Sequence, residues 1–216
     1  MSLFFDYHWT LGHALRRARD ILQAEGLHSL WWKVLDATIY RRTVLIERSL
    51  ECPVAEIPTR TPVVVDLLKE SDIEDYLELR MDTDLSRLRR RMAQGQWCFA
   101  ARHERRLIGV VWATNNPQWL SALAWTPPLR PGELYVYDLF VTPEARGRRV
   151  ASKLTSAMLQ YFQIAGYTRI VAAVLLQQHS VMRLYQQLGF GVYGRMSCLK
   201  IGPWKRLFYH DLVVPN

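Results

Sequence analysis

The segment Tyr135–Leu154, YVYDLFVTPEARGRRVASKL, concentrates residues able to do chemistry. A strand-like apolar run ends at Val141, a proline turn follows, and Arg146-Gly147-Arg148-Arg149-Val150-Ala151 leads into a helical pattern. A glycine-containing loop at a helix N-terminus presents unpaired backbone N–H groups with the positive end of the helix dipole behind them. Such a loop takes an anion, and a pyrophosphate suits it well. Arg146, Arg148, Arg149 and Lys153 add positive charge beside it. Within the same run, Asp138 stands in the middle of an apolar strand, where a carboxylate is costly unless solvated or paired.

These residues need a scaffold, and the hydrophobic periodicity of the chain supplies one. Thr10–Glu25 carries Leu11, Ala14, Leu15, Ala18, Ile21 and Leu22 at helical spacing, with Gly26 as its C-cap. Leu30–Tyr40 repeats that period, a strand-like TVLIERSL follows, and the three prolines of Cys52–Pro62 read as a linker. The expected division is an N-terminal two-helix extension and linker over 1–60 and a second domain over 61–216. In the latter, strands are expected at 63–67, 134–141 and 170–175, with a hairpin of 97–102 and 107–113 around HERR. Helices are expected at 71–80, 84–93, 151–165 and 181–188, and two further strands at the C-terminus. This alternation predicts an α/β fold with a mixed sheet.

Composition narrows the classes. The chain has 216 residues, 50% hydrophobic and 22% charged, which suits a globular core and excludes a disordered, collagen-like or disulfide-stapled chain. Cys52, Cys98 and Cys198 are isolated, and the histidines lack ligand spacing, so neither a disulfide framework nor a metal site is expected. The start lacks a signal-peptide pattern, and the apolar runs fall far short of the roughly 20 residues that span a bilayer. A soluble, cytoplasmic protein is expected. The net charge of +8 lies wholly in residues 139–216, where ten Lys/Arg face Glu144 and Asp211. No aromatic–basic platform accompanies those arginines, so nucleic acid is not an expected partner.

The loop is followed downstream by Leu184-Tyr185-Gln186-Gln187-Leu188-Gly189-Phe190. Together the two motifs resemble the GNAT superfamily of acyl-CoA N-acyltransferases (GCN5-related N-acetyltransferases) over roughly residues 62–213. That family's pyrophosphate motif, (Gln/Arg)-x-x-Gly-x-(Gly/Ala), maps onto Arg146, Arg149 and Ala151, and its V-x-P-x-x-R-G lead-in is present as Val141–Gly147. The resemblance implies a mostly antiparallel mixed sheet whose central parallel strands, 134–141 and 170–175, splay apart to admit the donor. Main-chain groups of Leu139, Phe140 and Val141 are expected to hydrogen-bond the pantetheine arm, and Arg146, Gly147, Arg148, Arg149, Val150 and Ala151 to hold the pyrophosphate. Two departures stand out. Arg149 occupies a position where the motif prefers glycine, and Gln178, expected near the pantetheine, replaces a frequent asparagine.

Acyl transfer to an amine requires an unprotonated nucleophile and a proton for the departing thiolate. By the resemblance, Tyr185 is the expected acid. Two carboxylates are candidate bases: Asp138, and Glu133, thirteen residues before Arg146. Strand alternation places these two on opposite faces. Tyr137 occupies the position of one acid found in diamine acetyltransferases.

The implied activity is transfer of an acyl group, acetyl foremost, from acyl-CoA to a primary amine by direct attack in a ternary complex, without metal. Alternatives are long-chain acyl transfer from acyl-CoA or an acyl carrier protein to an amino acid, peptide lysine or sugar amine, and a non-catalytic acyl-CoA-binding or membrane-associated module. The Trp119, Leu120, Leu123, Trp125 series reads as an acyl pocket, a lid, a satellite core or a homodimer contact. The basic-ended N-terminal helices are expected to pack on the catalytic domain, with a membrane surface or acyl carrier protein as the other partners considered.

Overall fold

A computed structural model describes residues 40–55, 57–59, 61–81, 83–116, 128–201 and 204–211. The helix expected over 10–25, all but Tyr40 of that expected over 30–40, and the 119–125 series lie outside the described residues. The strands are β1 (Tyr40–Ser49), β2 (Val64–Leu67), β3 (Trp97–His103), β4 (Arg106–Thr114), β5 (Glu133–Val141), β6 (Arg169–Leu175), β7 (Gly191–Ile201) and β8 (Trp204–Asp211). The helices are α1 (Ile73–Leu79), α2 (Leu85–Ala93), α3 (Val150–Ile164) and α4 (His179–Gln187). The strand order in the eight-stranded sheet is β2-β3-β4-β5-β6-β1-β7-β8. β5 and β6 run parallel, while β2–β3, β3–β4, β4–β5 and β7–β8 are antiparallel. This is the mixed α/β sheet expected from the alternation, mostly antiparallel as the resemblance implies. β1 falls within residues read as extension, yet it takes a place inside the sheet.

The described residues form two compact units, one drawn from 46–116, 128–173 and 179–191, the other from 40–45, 174–178, 192–201 and 204–211. In the larger unit, β3 shows how alternation builds two cores. Cys98 and Ala100 join Tyr76, Leu88, Val110 and Trp112 in one buried cluster under α1 and α2. Trp97 and Phe99 point the other way and meet Phe162 of α3 edge-on, at centroid distances of 5.3 and 5.5 Å. Trp112 is fully buried and satisfies its indole N–H by donating to the Tyr76 hydroxyl at 3.0 Å. The proline-rich segment read as a linker is tied to α3. Ser156 donates to the Ala55 carbonyl at 2.6 Å, and Gln163 to the carbonyls of Leu50 and Cys52 at 2.6 and 2.9 Å.

The hairpin of β3 and β4 turns at Glu104 and Arg105, both in the left-handed region (φ 47° and 66°). Tight two-residue hairpin turns require that conformation, usually from Asn-Gly, and here the HERR sequence adopts it without either. In the smaller unit, β7 and β8 pair from Gly194↔Asp211 to Ile201↔Trp204, and Val44, Leu45 and Met196 are buried. No helix among the described residues is long and apolar enough to cross a membrane.

Candidate active site

β5 positions the site because its pairing changes along its length. Its parallel ladder with β6 runs from Glu133↔Arg169 to Val136↔Ala172 and stops there, although β5 continues to Val141. On the opposite side, β4 pairs Trp112 with Tyr137 and Val110 with Phe140. Asp138 and Leu139 therefore share the single partner position at Val111, which makes a β-bulge. Asp138 takes the left-handed conformation at this bulge, with φ 55°. Two residues further along β4, a Cβ on Gly109, the partner of Val141, would lie only 3.0 Å from the Phe140 carbonyl oxygen, so glycine permits the close approach of β5 after the bulge.

Beyond Val141 a short 3-10 turn, Pro143–Ala145, carries the chain to the loop, and the Arg146 Nε–H donates back to the Val141 carbonyl at 3.3 Å. Gly147 (φ 75°) and Arg149 (φ 63°) both adopt left-handed conformations, so the chain turns sharply before α3 begins at Val150. The first helical hydrogen bond runs from the Lys153 amide to the Arg149 carbonyl, and no side chain caps the preceding amides. Space above the Gly147 Cα is open, with nothing within 4 Å of a Cβ placed there. Arg146, Arg148 and Arg149 are all exposed beside these amides. An uncapped helix start, an open glycine and three guanidiniums form a cradle that fits a pyrophosphate. The left-handed φ at Arg149 supplies a physical reason for the motif's glycine preference at that position. Arg149→Gly is expected to raise stability by about 1 kcal/mol, a shift of roughly 2–4 °C for a domain this size, measurable by calorimetry.

The structure does not bring the two candidate carboxylates together. Glu133, 6% exposed, accepts from the Arg169 guanidinium at 2.9 Å and from the Arg130 amide at 2.9 Å. Arg169 in turn binds Glu47 of β1. Asp138 accepts from Arg80, at the C-terminus of α1, at 2.6 Å and from Arg91 of α2 at 2.8 Å. Burial pushes the Asp138 carboxyl up, but the two guanidiniums outweigh it and hold it below the usual carboxylate range. Glu133 is likewise raised by burial and lowered further by the Arg130 amide and Arg169, ending below its ordinary value. Arg91 lies over the rings of both Trp112 and Tyr137, at 5.0 and 5.2 Å. Adjacent residues 137 and 138 thus reach one arginine. The bulge breaks the strict alternation that had placed Glu133 and Asp138 on opposite faces.

A carboxylate held low in the folded state stabilises it above its unfolded pKa of about 4.3, and that contribution is lost as pH falls through the folded value. Glu133→Gln is therefore expected to be less stable than the parent at pH 7, with the gap closing below about pH 4. Urea midpoints measured from pH 7 to pH 3 check this.

Tyr185 is buried on α4, and its ring packs edge-on against Phe190 at 4.8 Å. Desolvation pushes its phenol well above the ordinary tyrosine value. Gly189 ends the helix at φ 78°, and a Cβ there would come within 2.8 Å of the Arg48 guanidinium. Gln178 is exposed, and its backbone N–H donates to the Leu175 carbonyl at 2.9 Å. Arg80 and Arg91 are the site-region residues that sequence reading missed; the cost of burying Asp138 required cationic partners without saying which. No cluster of metal-ligating side chains occurs among the described residues. A cavity of about 410 Å³ lies between β2 and α3, lined by Val65, Leu67, Phe99 and Tyr161 among others, and no residue of β5 or the loop lines it.

The splayed β5–β6 pair, the bulge and the cradle at the start of α3 define a class that comparison with known proteins identifies. Residues 62–190 match the model of the acetyltransferase (GNAT) family, and the chain belongs to that family. It is similar to human N-acetyltransferase 8, with 29% identity over 136 residues, 62% of this chain and 55% of that protein. Human N-acetyltransferase 8B is 30% identical over 122 residues, 56% of this chain and 50% of that protein. The chain thus spans about half the length of these relatives. Among solved structures, a GCN5-related N-acetyltransferase from Sphaerobacter thermophilus shares the fold with a TM-score of 0.56 at 13% identity, over 84% of this chain and 56% of that one.

Proposed function

We propose that this protein transfers an acetyl group from acetyl-CoA to a primary amine by direct attack within a ternary complex. The reading rests on one continuous unit: the stretch of β5 beyond the last β6 pair, leading through a short turn into the uncapped, arginine-flanked start of α3. The human relatives bear the name N-acetyltransferase, which agrees with this assignment. Main-chain groups of Leu139, Phe140 and Val141 hold the pantetheine arm as an added strand would, and the amides of Gly147–Ala151 with Arg146, Arg148 and Arg149 bind the pyrophosphate.

The amine nitrogen attacks the thioester carbonyl, the C–N bond forms, the C–S bond breaks, the thiolate takes a proton from the Tyr185 hydroxyl, and the tyrosinate regains a proton from solvent before the next turnover. A tyrosine phenol is protonated through neutral pH in any case, and burial raises this one further, so it carries the proton to be donated. Asp138 and Glu133 are each held low by arginine and are weak proton acceptors. The proton released by the amine therefore passes to water, and neither carboxylate is assigned as the base.

Calorimetric titration with acetyl-CoA, a C12–C16 acyl-CoA and free CoA tests the reading, followed by mass spectrometry of a primary-amine panel incubated with acetyl-CoA. Micromolar acetyl-CoA binding together with an acetylated amine supports it. Preference for the long chain transfers the assignment to fatty-acyl transfer, and binding of none of the three overturns the CoA-dependent reading.

A further inference from the structure

We propose that Asp138 is a positioning residue: the Arg80–Asp138–Arg91 clamp fixes the bulge of β5 and so sets the main-chain groups of Leu139–Val141 that receive the donor. This inference rests on the donor reading given above. A non-glycine residue in the left-handed region is strained, an aspartate less than most, and it persists where its surroundings over-determine it. Both oxygens of Asp138 are taken by guanidiniums from two different helices, at 2.6 and 2.8 Å. Those guanidiniums also grip the strand on either side of the bulge. Arg91 covers Tyr137, the residue before it, at 5.2 Å, and Arg80 covers Phe140, just after it, at 4.9 Å.

The clamp is itself braced. The Tyr137 hydroxyl donates to the Gln96 side-chain oxygen, and Arg91 rests on Trp112, whose indole is fixed by Tyr76. Besides the arginines, the titratable groups around Asp138 are Tyr76 of α1, Cys98 of β3 and Tyr137 of β5. The bulge begins two residues after Val136, where β6 pairing ends. A carboxylate there, ion-paired to Arg80 and Arg91, fixes the course along β4 of the stretch that β6 no longer pairs.

The test compares the parent with Asp138→Asn, Arg91→Gln and the double variant. It follows amide hydrogen exchange over residues 137–141 without ligand, donor KM, kcat, and the pH profile of kcat/KM. A clamp predicts at least tenfold faster exchange in each single variant and a donor KM raised on the order of 10- to 100-fold. It also predicts an unaltered profile shape and a double variant no worse than the worse single. Asp138→Gly, which relieves the backbone strain while deleting the carboxylate, is expected to fold and to show the same rise in donor KM. Either of two results overturns the proposal: unchanged exchange and donor KM in Asp138→Asn, or loss of the acidic limb of the profile in Asp138→Asn with Arg91→Gln unaffected, which would make Asp138 a base. If the parent binds no CoA thioester, the donor reading fails, and the exchange rates still decide whether the clamp holds the bulge.

Discussion

Gly147→Asp is expected to weaken acetyl-CoA binding on the order of 100-fold while leaving the protein folded. Gly147 sits at φ 75°, and nothing lies within 4 Å of the position a Cβ would take. Aspartate tolerates the left-handed region better than most residues, so the backbone penalty is on the order of 1 kcal/mol. The larger effect is charge. A carboxylate about 5 Å from a pyrophosphate at a partly screened surface costs roughly 2–3 kcal/mol. Calorimetric titration of both proteins, with scanning calorimetry as the folding control, measures the difference. A variant that binds as tightly as the parent would remove the pyrophosphate from this loop. Gly147→Ala separates the contributions, because it adds the strain without the charge.

Tyr185→Phe is expected to lower kcat by about 10²- to 10³-fold with little change in donor KM, the usual size for loss of a proton donor. The substitution deletes only the hydroxyl, so the edge-on packing against Phe190 survives and the melting temperature should hold within a few degrees. Desolvation pushes the phenol well above its ordinary value, so the parent should show no loss of its acid through neutral pH. Steady-state kinetics from pH 6 to pH 9 with saturating amine check both points. If kcat is unchanged, Tyr185 is a core aromatic and the thiolate takes its proton from solvent.

The elements that carry the site are those with strong local signals. The α3 period and its glycine-marked start, the apolar β6 run and the Leu-Tyr helix all lie within a residue or two of their expected bounds. The HERR hairpin was legible from the flanking strands, although its turn residues are unusual. What local sequence could not carry is long-range. Arg80 and Arg91 are 58 and 47 residues from Asp138. Nothing in their own segments marks them as its partners rather than as solvated helix arginines. The bulge is equally silent, because a period of two reads identically until the partner strand skips a position. For the same reason, β1 gives no local sign that it belongs inside the sheet.

If the donor lies along β5 as proposed, the last closed rung between β5 and β6, Val136↔Ala172, is its depth stop. A donor lying along β5 can advance no further than that rung, and from there to Val141 the strand offers about 16 Å of run at roughly 3.3 Å per residue. On that proposal the sheet works as a ruler: where the ladder closes would fix how far the thioester travels and which atom of the donor halts beside the acceptor. Opening or closing a single rung would shift that halt by one residue's length and move the reacting carbon without altering any side chain around it. Reach along the strand, as well as the chemistry of the pocket, would then select which acyl group arrives in register.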